Sequence, residues 1–167
     1  QWEPTIAAPD PATWQAPEQG GGYAHGQVTH SSGLMFWLTG LRAKEVSARM
    51  SSPNANVDMY NAATVIFENG ALGTISGAAT LPDGVKFQVD IRIFGEEGVL
   101  LLDVERERVE VRRHDNQHQT FAVPDNAGAY DCDVPPARFV ELIQGHGAND
   151  SPGEVAARSV ELIAAMF

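Results

Sequence analysis

A glycine-led stretch near the start of the chain contains the residues best suited to chemistry. Gly20–Gly22 lead into an apolar run that ends at Gly40, and His30 lies within that run. Glycine has no Cβ, so a ligand or another part of the chain can approach the start of a helix closely. An imidazole can accept or donate a proton near pH 7. We therefore predict that His30 is a catalytic residue.

Neighbouring polar and aromatic residues are candidates for contacting a substrate. An exposed tryptophan is costly, so one upstream of the glycines either packs on the core or lines a cleft. If the helix starts late, the first histidine belongs to the preceding loop and can face a ligand. We predict four substrate-binding residues: Trp14, Tyr23, His25 and Gln27.

Two other interpretations of these histidines have to be considered. His30 could be a structural residue that packs beside Trp37 and hydrogen-bonds to backbone. His25 precedes His30 by five residues, which places the two about 140° apart on an α-helix. That angle does not favour a shared metal ion, so we predict no metal site.

Composition excludes several classes of function. The 167 residues carry a formal net charge of -11 without any cluster of Lys or Arg. The sequence therefore predicts binding to neither nucleic acid nor an anionic membrane surface. No apolar run approaches the roughly 20 residues of a membrane helix. The single Cys132 excludes an internal disulfide, and a cytoplasmic location is expected.

The apolar pattern predicts one helix, then strands, then two helices. The first helix is predicted over Tyr23–Leu38, and Asn69-Gly70 between apolar runs predicts a hairpin. The small residues of 73–79 suit close packing against another sheet, a subunit or a ligand. The apolar stripe of the first helix is predicted to be Val28, Leu34, Met35 and Leu38. Strands are predicted over 45–50, 59–68, 71–79, 87–93, 99–103, 107–113 and 119–123.

The C-terminal segments predict two helices with recognisable starts. Asp133 can cap the first, with Pro135 in its first turn. Ser151-Pro152-Gly153-Glu154 matches the Ser-x-x-Glu capping box of the second. Hairpin-linked strands dominate, and no βαβ unit or dinucleotide fingerprint is recognisable. We predict a single α+β domain over residues 1–167, with an open, mostly antiparallel sheet of six to seven or more strands and helices packed on one face.

Four motifs in this order resemble the C-terminal domain of the glucose-fructose oxidoreductase, inositol dehydrogenase and MocA-like (Gfo/Idh/MocA) dehydrogenases. They are Gly20–Gly22 with His30 in a helix that ends Phe36-Trp37-Leu38-Thr39-Gly40, the strand Ala62–Phe67 with the hairpin Glu68–Thr74, the segment Ile93–Leu100, and the helix start Ser151–Glu154. The resemblance covers nearly the whole chain from about Trp14 onward.

This resemblance implies a two-domain enzyme. In the family, an N-terminal Rossmann half binds NAD(P) and usually carries a catalytic lysine, and the C-terminal half supplies substrate contacts. The chain, which begins at Gln1 rather than Met, is then the substrate-binding half of an NAD(P)-dependent oxidoreductase acting on a sugar, polyol or related hydroxy compound. The missing domain would bind NAD or NADP, with none bound by this fragment alone. The family also implies a homo-oligomer through the open sheet face.

The sequence departs from the family pattern beside the histidine. His30 matches the histidine that relays the proton of the substrate hydroxyl, but Gly26 and Gly33 occupy positions where the family usually has aspartates. Gln27 can substitute in part as a hydrogen-bonding group. Two alternatives therefore stay open: a catalytically degenerate member that serves ligand binding or assembly, and an unrelated α+β interaction module.

Overall fold

The computed structural model describes residues 16–82, 85, 88–124 and 132–167, and its chain divides into two compact units. The first unit comprises Gln1–Val85 and Ser151–Phe167, and the second comprises Lys86–Asp150. Each unit contains its own antiparallel sheet. The glycine-led stretch lies in the first unit, which therefore positions the candidate site.

The sheet of the first unit has three strands in sequence order. They are β1 (Ala43–Ser51), β2 (Tyr60–Phe67) and β3 (Leu72–Ala78). The predicted hairpin between β2 and β3 is confirmed, because Ile66 pairs with Leu72 across the turn. Gly70 has φ +86° and its N–H bonds to the carbonyl of Phe67 at 2.9 Å. The turn thus uses glycine at its left-handed position.

Alternation along β2 separates a buried face from an open face. Buried residues at 61, 63, 65 and 67 alternate with exposed residues at 62, 64 and 66. Helix α1 (Thr29–Thr39) and the C-terminal helix α3 (Gly153–Ala164) pack on the buried face. The fully buried core side chains there include Phe36, Val65 and Ile163.

The first predicted helix is confirmed in place, but its internal geometry differs from the prediction. Residues Ala24–Val28 form a π-helical turn that runs directly into α1. The predicted apolar stripe is wrong in part, since Val28 is buried together with Ser32 and Phe36, whereas the other three predicted residues are half-buried. The helix is apolar on more than one side, so its periodicity does not identify the face that packs on α3.

The second unit contains a four-stranded antiparallel meander. Its strands are β4 (Asp90–Gly95), β5 (Gly98–Asp103), β6 (Arg108–Arg113) and β7 (His118–Phe121), paired in that order. The side chain of Glu110 lies between those of Arg108 and Arg112. Their hydrogen bonds, that from Arg108 foremost, lower the pKa of Glu110 to about 2.

The predicted α+β fold with antiparallel strands is confirmed, and its seven strands form two sheets in the described part of the chain. Helix α2 (Val134–Ile143) has Asp133 at its N-cap, as predicted, but without a capping bond from that side chain. The predicted capping box of α3 is wrong. Pro152 has ψ 140°, so it is extended and itself occupies the N-cap, and the helix begins at Gly153.

Candidate active site

The glycines at the start of the site make room for a carboxylate of the same unit. Gly22 has φ +111°, and a Cβ built on it would lie 2.1 Å from Oδ1 of Asp58. A substituted residue there would meet both steric overlap and backbone strain. The close approach predicted from Gly20–Gly22 therefore exists, and the group that approaches is Asp58.

Asp58 holds the first residues of the helical stretch through two hydrogen bonds. Its Oδ2 accepts the backbone N–H of Ala24 at 2.9 Å, and its carbonyl accepts the N–H of Tyr23 at 3.0 Å. Amides at a helix start have no partner within the helix, and the positive end of the helix dipole favours an anion. Asp58 is only 3% exposed, so it supplies partners that water would otherwise provide.

Burial dominates the electrostatics of this carboxyl group. Desolvation raises the pKa of Asp58 above its ordinary value, while the Ala24 N–H, the nearby Asn61 amide and the charge of His25 act in the opposite direction. Among the described residues, Oδ1 of Asp58, both amide heteroatoms of Asn61 and Nδ1 of His25 are buried without a hydrogen-bond partner. The start of the helical stretch is thus a buried polar cluster.

The raised pKa of Asp58 predicts a pH-dependent contribution to stability. The folded state binds this proton more tightly than the unfolded state, whose aspartate titrates near pH 3.9. The contribution is therefore fully present below about pH 4 and is lost as the pH rises through the folded-state pKa. The side chain in Asp58→Asn cannot ionise. In urea unfolding, the free energy of unfolding of the variant should therefore rise relative to that of the wild type between pH 4 and pH 7. A stability difference that is constant over this range, or that changes in the opposite direction, would contradict the assignment.

Tyr23 extends the cluster to strand β3. A Cβ at Gly77 would lie 2.5 Å from Cε1 of Tyr23 and 3.1 Å from Oδ1 of Asn61, so the missing side chain leaves room for both groups. Burial raises the pKa of Tyr23, a backbone hydrogen bond at Ala78 opposes the shift, and the charge of Asp58 adds to it. The phenol therefore stays neutral at pH 7. The small residues of β3 serve packing within this unit here.

His25 and Gln27 lie in the π-helical turn and are both half-buried. The His25 ring stacks on Phe167, with centroids 5.1 Å apart and an interplanar angle of 22°. Its carbonyl accepts the hydroxyl of Thr29 at 2.8 Å. The predicted 140° separation of His25 and His30 assumed a regular α-helix and is wrong here, because the π turn changes the angular spacing between them.

A second group of contacts fixes the start of α1 from the side of α3. Ser159, 3% exposed on α3, donates its hydroxyl to the carbonyl of Thr29 at 2.7 Å. The hydroxyl oxygens of Ser32 and Ser159 are also in hydrogen-bonding contact. Because Thr29 directly precedes His30, the backbone at the histidine is held by α3 as well as by the preceding turn.

His30 itself is exposed on α1. Trp37 follows seven residues later, about 20° away on an α-helix, and is 54% exposed. The structure thus places Tyr23 and His25 in the packed polar cluster and His30 at the surface, on the face that also carries Trp37. Trp14, the remaining predicted substrate contact, lies outside the described residues.

Sequence reasoning missed Asp58 and Asn61. The available signal was a lone carboxylate between two apolar residues, Val57 and Met59, directly before the strand predicted over 59–68. Within the described ranges, no group of three or more His, Cys, Asp or Glu side chains could hold a metal ion. None of the helices in those ranges has the length and apolar character to cross a bilayer.

Residues 1–101 of the 167-residue chain match the family model of the GFO/IDH/MocA C-terminal domain. The chain belongs to the GFO/IDH/MocA family. The predicted resemblance to this family is thereby confirmed, and the first three of the four motifs lie within the matched residues. None of the curated proteins matches the sequence of this GFO/IDH/MocA domain.

Solved structures share the fold of this GFO/IDH/MocA domain. An oxidoreductase domain protein from Kribbella flavida is 21% identical, with a TM-score of 0.69 over 97% of this chain and 52% of its own. The WlbA dehydrogenase from Bordetella pertussis, in complex with NADH and UDP-GlcNAcA, is 21% identical, with a TM-score of 0.62 over 94% and 46%. The UDP-N-acetylglucosamine 3-dehydrogenase GnnA from Acidithiobacillus ferrooxidans is 14% identical, with a TM-score of 0.66 over 83% and 43%. The chain therefore spans about half the length of these structures.

Proposed function

We propose that this chain is the substrate-facing half of an NAD(P)-dependent oxidoreductase that acts on a sugar, polyol or related hydroxy compound. The observation that carries the proposal is the placement of His30. It is an exposed imidazole in the first turn of α1, on a backbone held by Asp58 before it and Ser159 behind it. An accessible proton acceptor carried on a well-held backbone suits the oxidation of a hydroxyl group.

Related proteins support the substrate class. Two structures with this fold are named as a UDP-N-acetylglucosamine 3-dehydrogenase and as a dehydrogenase in complex with NADH and UDP-GlcNAcA. Both names refer to sugar nucleotides, whose ring hydroxyls are candidate sites of oxidation. We therefore place sugar nucleotides, with free sugars and polyols, among the compounds to be tested.

The proposed chemistry assigns one step to this chain. Neutral imidazole of His30 accepts the hydroxyl proton while the carbinol carbon is oxidised. Bound NAD(P)⁺ supplies the hydride acceptor. The proposed substrate contacts remain Trp14, Tyr23, His25 and Gln27. A ligand that reaches Tyr23 or His25 would have to approach the polar cluster around Asp58.

The two sheets in the described part of the chain lack the strand arrangement of a Rossmann-type dinucleotide site. Every strand pairing in the two described sheets is antiparallel, whereas a Rossmann site needs parallel strands joined by a crossover helix. We propose that NAD(P) is held by a separate domain and that the chain by itself binds none.

The open face of the first sheet is the proposed surface for assembly. The cross-strand pair next to the hairpin turn is apolar on this face, with Ile66 38% and Leu72 80% exposed. Threonines 64 and 74 continue the same face. We propose that a second copy covers this face in a homo-oligomer, and a monomer at all concentrations in sedimentation would contradict it.

The test is a dinucleotide reduction assay on the full-length protein. Absorbance of NADH or NADPH is followed with UDP-N-acetylglucosamine, free glucose and myo-inositol, with calorimetry of NADH binding to the 167-residue chain as the matched control. We expect turnover with at least one compound and no NADH binding by the chain alone. Tight NADH binding by the chain would contradict the division of roles.

Gly26 and Gly33 favour a second candidate, in which the fold binds a ligand without turning it over. Neither position can present a side chain beside His30 on the helix. If the full-length protein shows no turnover with the same panel, yet one compound raises its melting temperature, the second candidate is supported and the first is rejected.

A further inference from the structure

We propose that Asp58 is the positioning residue of the candidate site, an inference that rests on the function proposed above for His30. The side chain and carbonyl of Asp58 fix the beginning of the helical stretch, and His30 follows in the same unbroken helix. Asp58 acts through the backbone of that helix and is not itself assigned a role in the reaction.

A chain of three backbone groups connects Asp58 to the residue before His30. Oδ2 of Asp58 accepts the N–H of Ala24 at 2.9 Å. The carbonyl of Ala24 then accepts the N–H of Thr29, the bond that closes the π turn. A displacement of Ala24 is therefore transmitted to Thr29, whose peptide bond leads directly into His30.

Burial makes this link hard to replace. Ala24 is 0% exposed and Asp58 is 3% exposed, so in the intact chain the carboxylate, and not bulk water, is the acceptor of the Ala24 amide. A buried donor left without an acceptor is unfavourable, and the helix start is expected to shift or open to relieve it. The second bond, from the Tyr23 N–H to the Asp58 carbonyl, holds the same turn at 3.0 Å but does not depend on the side chain.

The shape of the carboxyl group matters more than its charge in this arrangement. Oδ1 fills the space beside Gly22, where even a Cβ would lie only 2.1 Å away. Asparagine has the same shape and keeps an oxygen that can accept the Ala24 N–H. Glutamate keeps the charge but adds a methylene to a packed site. Positioning therefore predicts that asparagine is tolerated and glutamate is not, whereas an electrostatic role predicts the reverse.

The experiment compares Asp58→Asn, Asp58→Glu and Asp58→Ala in the full-length protein. Asp115→Asn is the matched control, because Asp115 also accepts a backbone N–H, that of Gln117 at 3.0 Å, at an exposed turn of the second unit. Hydrogen–deuterium exchange in peptides covering residues 22–30 reports the helix start without any substrate. Values of kcat and KM come from NAD(P)⁺ reduction with UDP-N-acetylglucosamine and myo-inositol.

We expect the glutamate and alanine variants to exchange about tenfold faster or more over residues 22–30, which is within the range for an unsatisfied buried donor in the alanine variant and for overpacking in the glutamate variant. Their kcat per nucleotide-binding site should fall by a similar factor with KM within about twofold, since His30 acts in the transition state. The asparagine variant and the control should stay within about threefold of wild type in both measurements. Wild-type exchange in the glutamate variant together with fast exchange in the asparagine variant would overturn the proposal, as would unchanged exchange in all three.

Failure of this inference can be told apart from failure of the proposed function. If His30→Ala abolishes turnover and no Asp58 variant affects kcat, the positioning role is rejected and the function stands. If His30→Ala turns over like wild type, the proposed function is rejected, and the exchange data still decide whether Asp58 fixes the helix start. Should the glutamate and alanine variants fail to fold, the asparagine variant decides. A tenfold loss of kcat in that variant rejects the proposal. Wild-type kcat in that variant, together with the failure of the glutamate variant to fold, supports it.

Discussion

Replacing His30 with alanine in the full-length protein is expected to lower kcat by about 10²- to 10⁴-fold, the range for loss of a general acid–base group. The side chain is exposed, so its removal leaves the core contacts of α1 in place. Affinity for NADH should stay within about twofold, because a separate domain is proposed to hold the dinucleotide. Steady-state kinetics and calorimetric NADH binding on the same preparation measure both quantities.

The matched control for this variant is His118→Ala. His118 is also an exposed histidine, but it lies on β7 of the second unit. Its removal should leave kcat and KM at their wild-type values. If His30→Ala turns over as fast as His118→Ala, the proton-transfer role of His30 has to be abandoned.

Replacing Gly22 with alanine is expected to produce the largest loss of stability. The new Cβ would lie 2.1 Å from Oδ1 of Asp58, and the residue would have to adopt φ +111°. Overpacking and backbone strain of this kind cost about 1–3 kcal/mol each, so we expect a loss of about 2–6 kcal/mol in the free energy of unfolding. For a chain of 167 residues that corresponds to a fall in Tm of roughly 5–20 °C in calorimetry.

Gly20→Ala separates the two causes. Gly20 also has a positive φ, +75°, but a Cβ there would meet no described atom within 4 Å. Gly20→Ala should therefore lose only the strain contribution of about 1–3 kcal/mol. If the two variants lose the same free energy of unfolding, the overlap between a Cβ at position 22 and Asp58 adds nothing to the backbone strain.

Local sequence signals were sufficient for the strands and for the position of the main helix, but not for the division of the strands into two sheets. The Asn69-Gly70 hairpin and strand β6 follow from turn chemistry and from alternation within a few residues. The capping box at Ser151 failed although its signal is also local. Proline at position 152 took an extended conformation, and the tetrapeptide pattern alone cannot distinguish that from a first helical residue.

The candidate site was only partly predictable, because its main contacts are distant in sequence. The glycines and His30 stand out in a single segment. Asp58 reaches Ala24 across 34 positions, and Ser159 reaches Thr29 across 130. Apolar periodicity does not predict the π turn either. The amide of Thr29 bonds to the carbonyl of Ala24, five residues earlier, and we attribute this choice of acceptor to the tertiary contacts rather than to the local sequence.

The π turn also has a genetic consequence. It accommodates one residue more per turn than the α-helix that follows it. We therefore expect the loss of one residue to be tolerated better within Ala24–Val28 than within α1. Loss of a single codon within this turn could be absorbed by conversion to an α turn, with the helix axis preserved. Insertion or loss of a codon between Thr29 and Trp37 would instead rotate every later side chain by about 100°. Among homologues, gaps in this region should therefore fall before Thr29, which makes the π turn the natural place to align divergent sequences around the histidine.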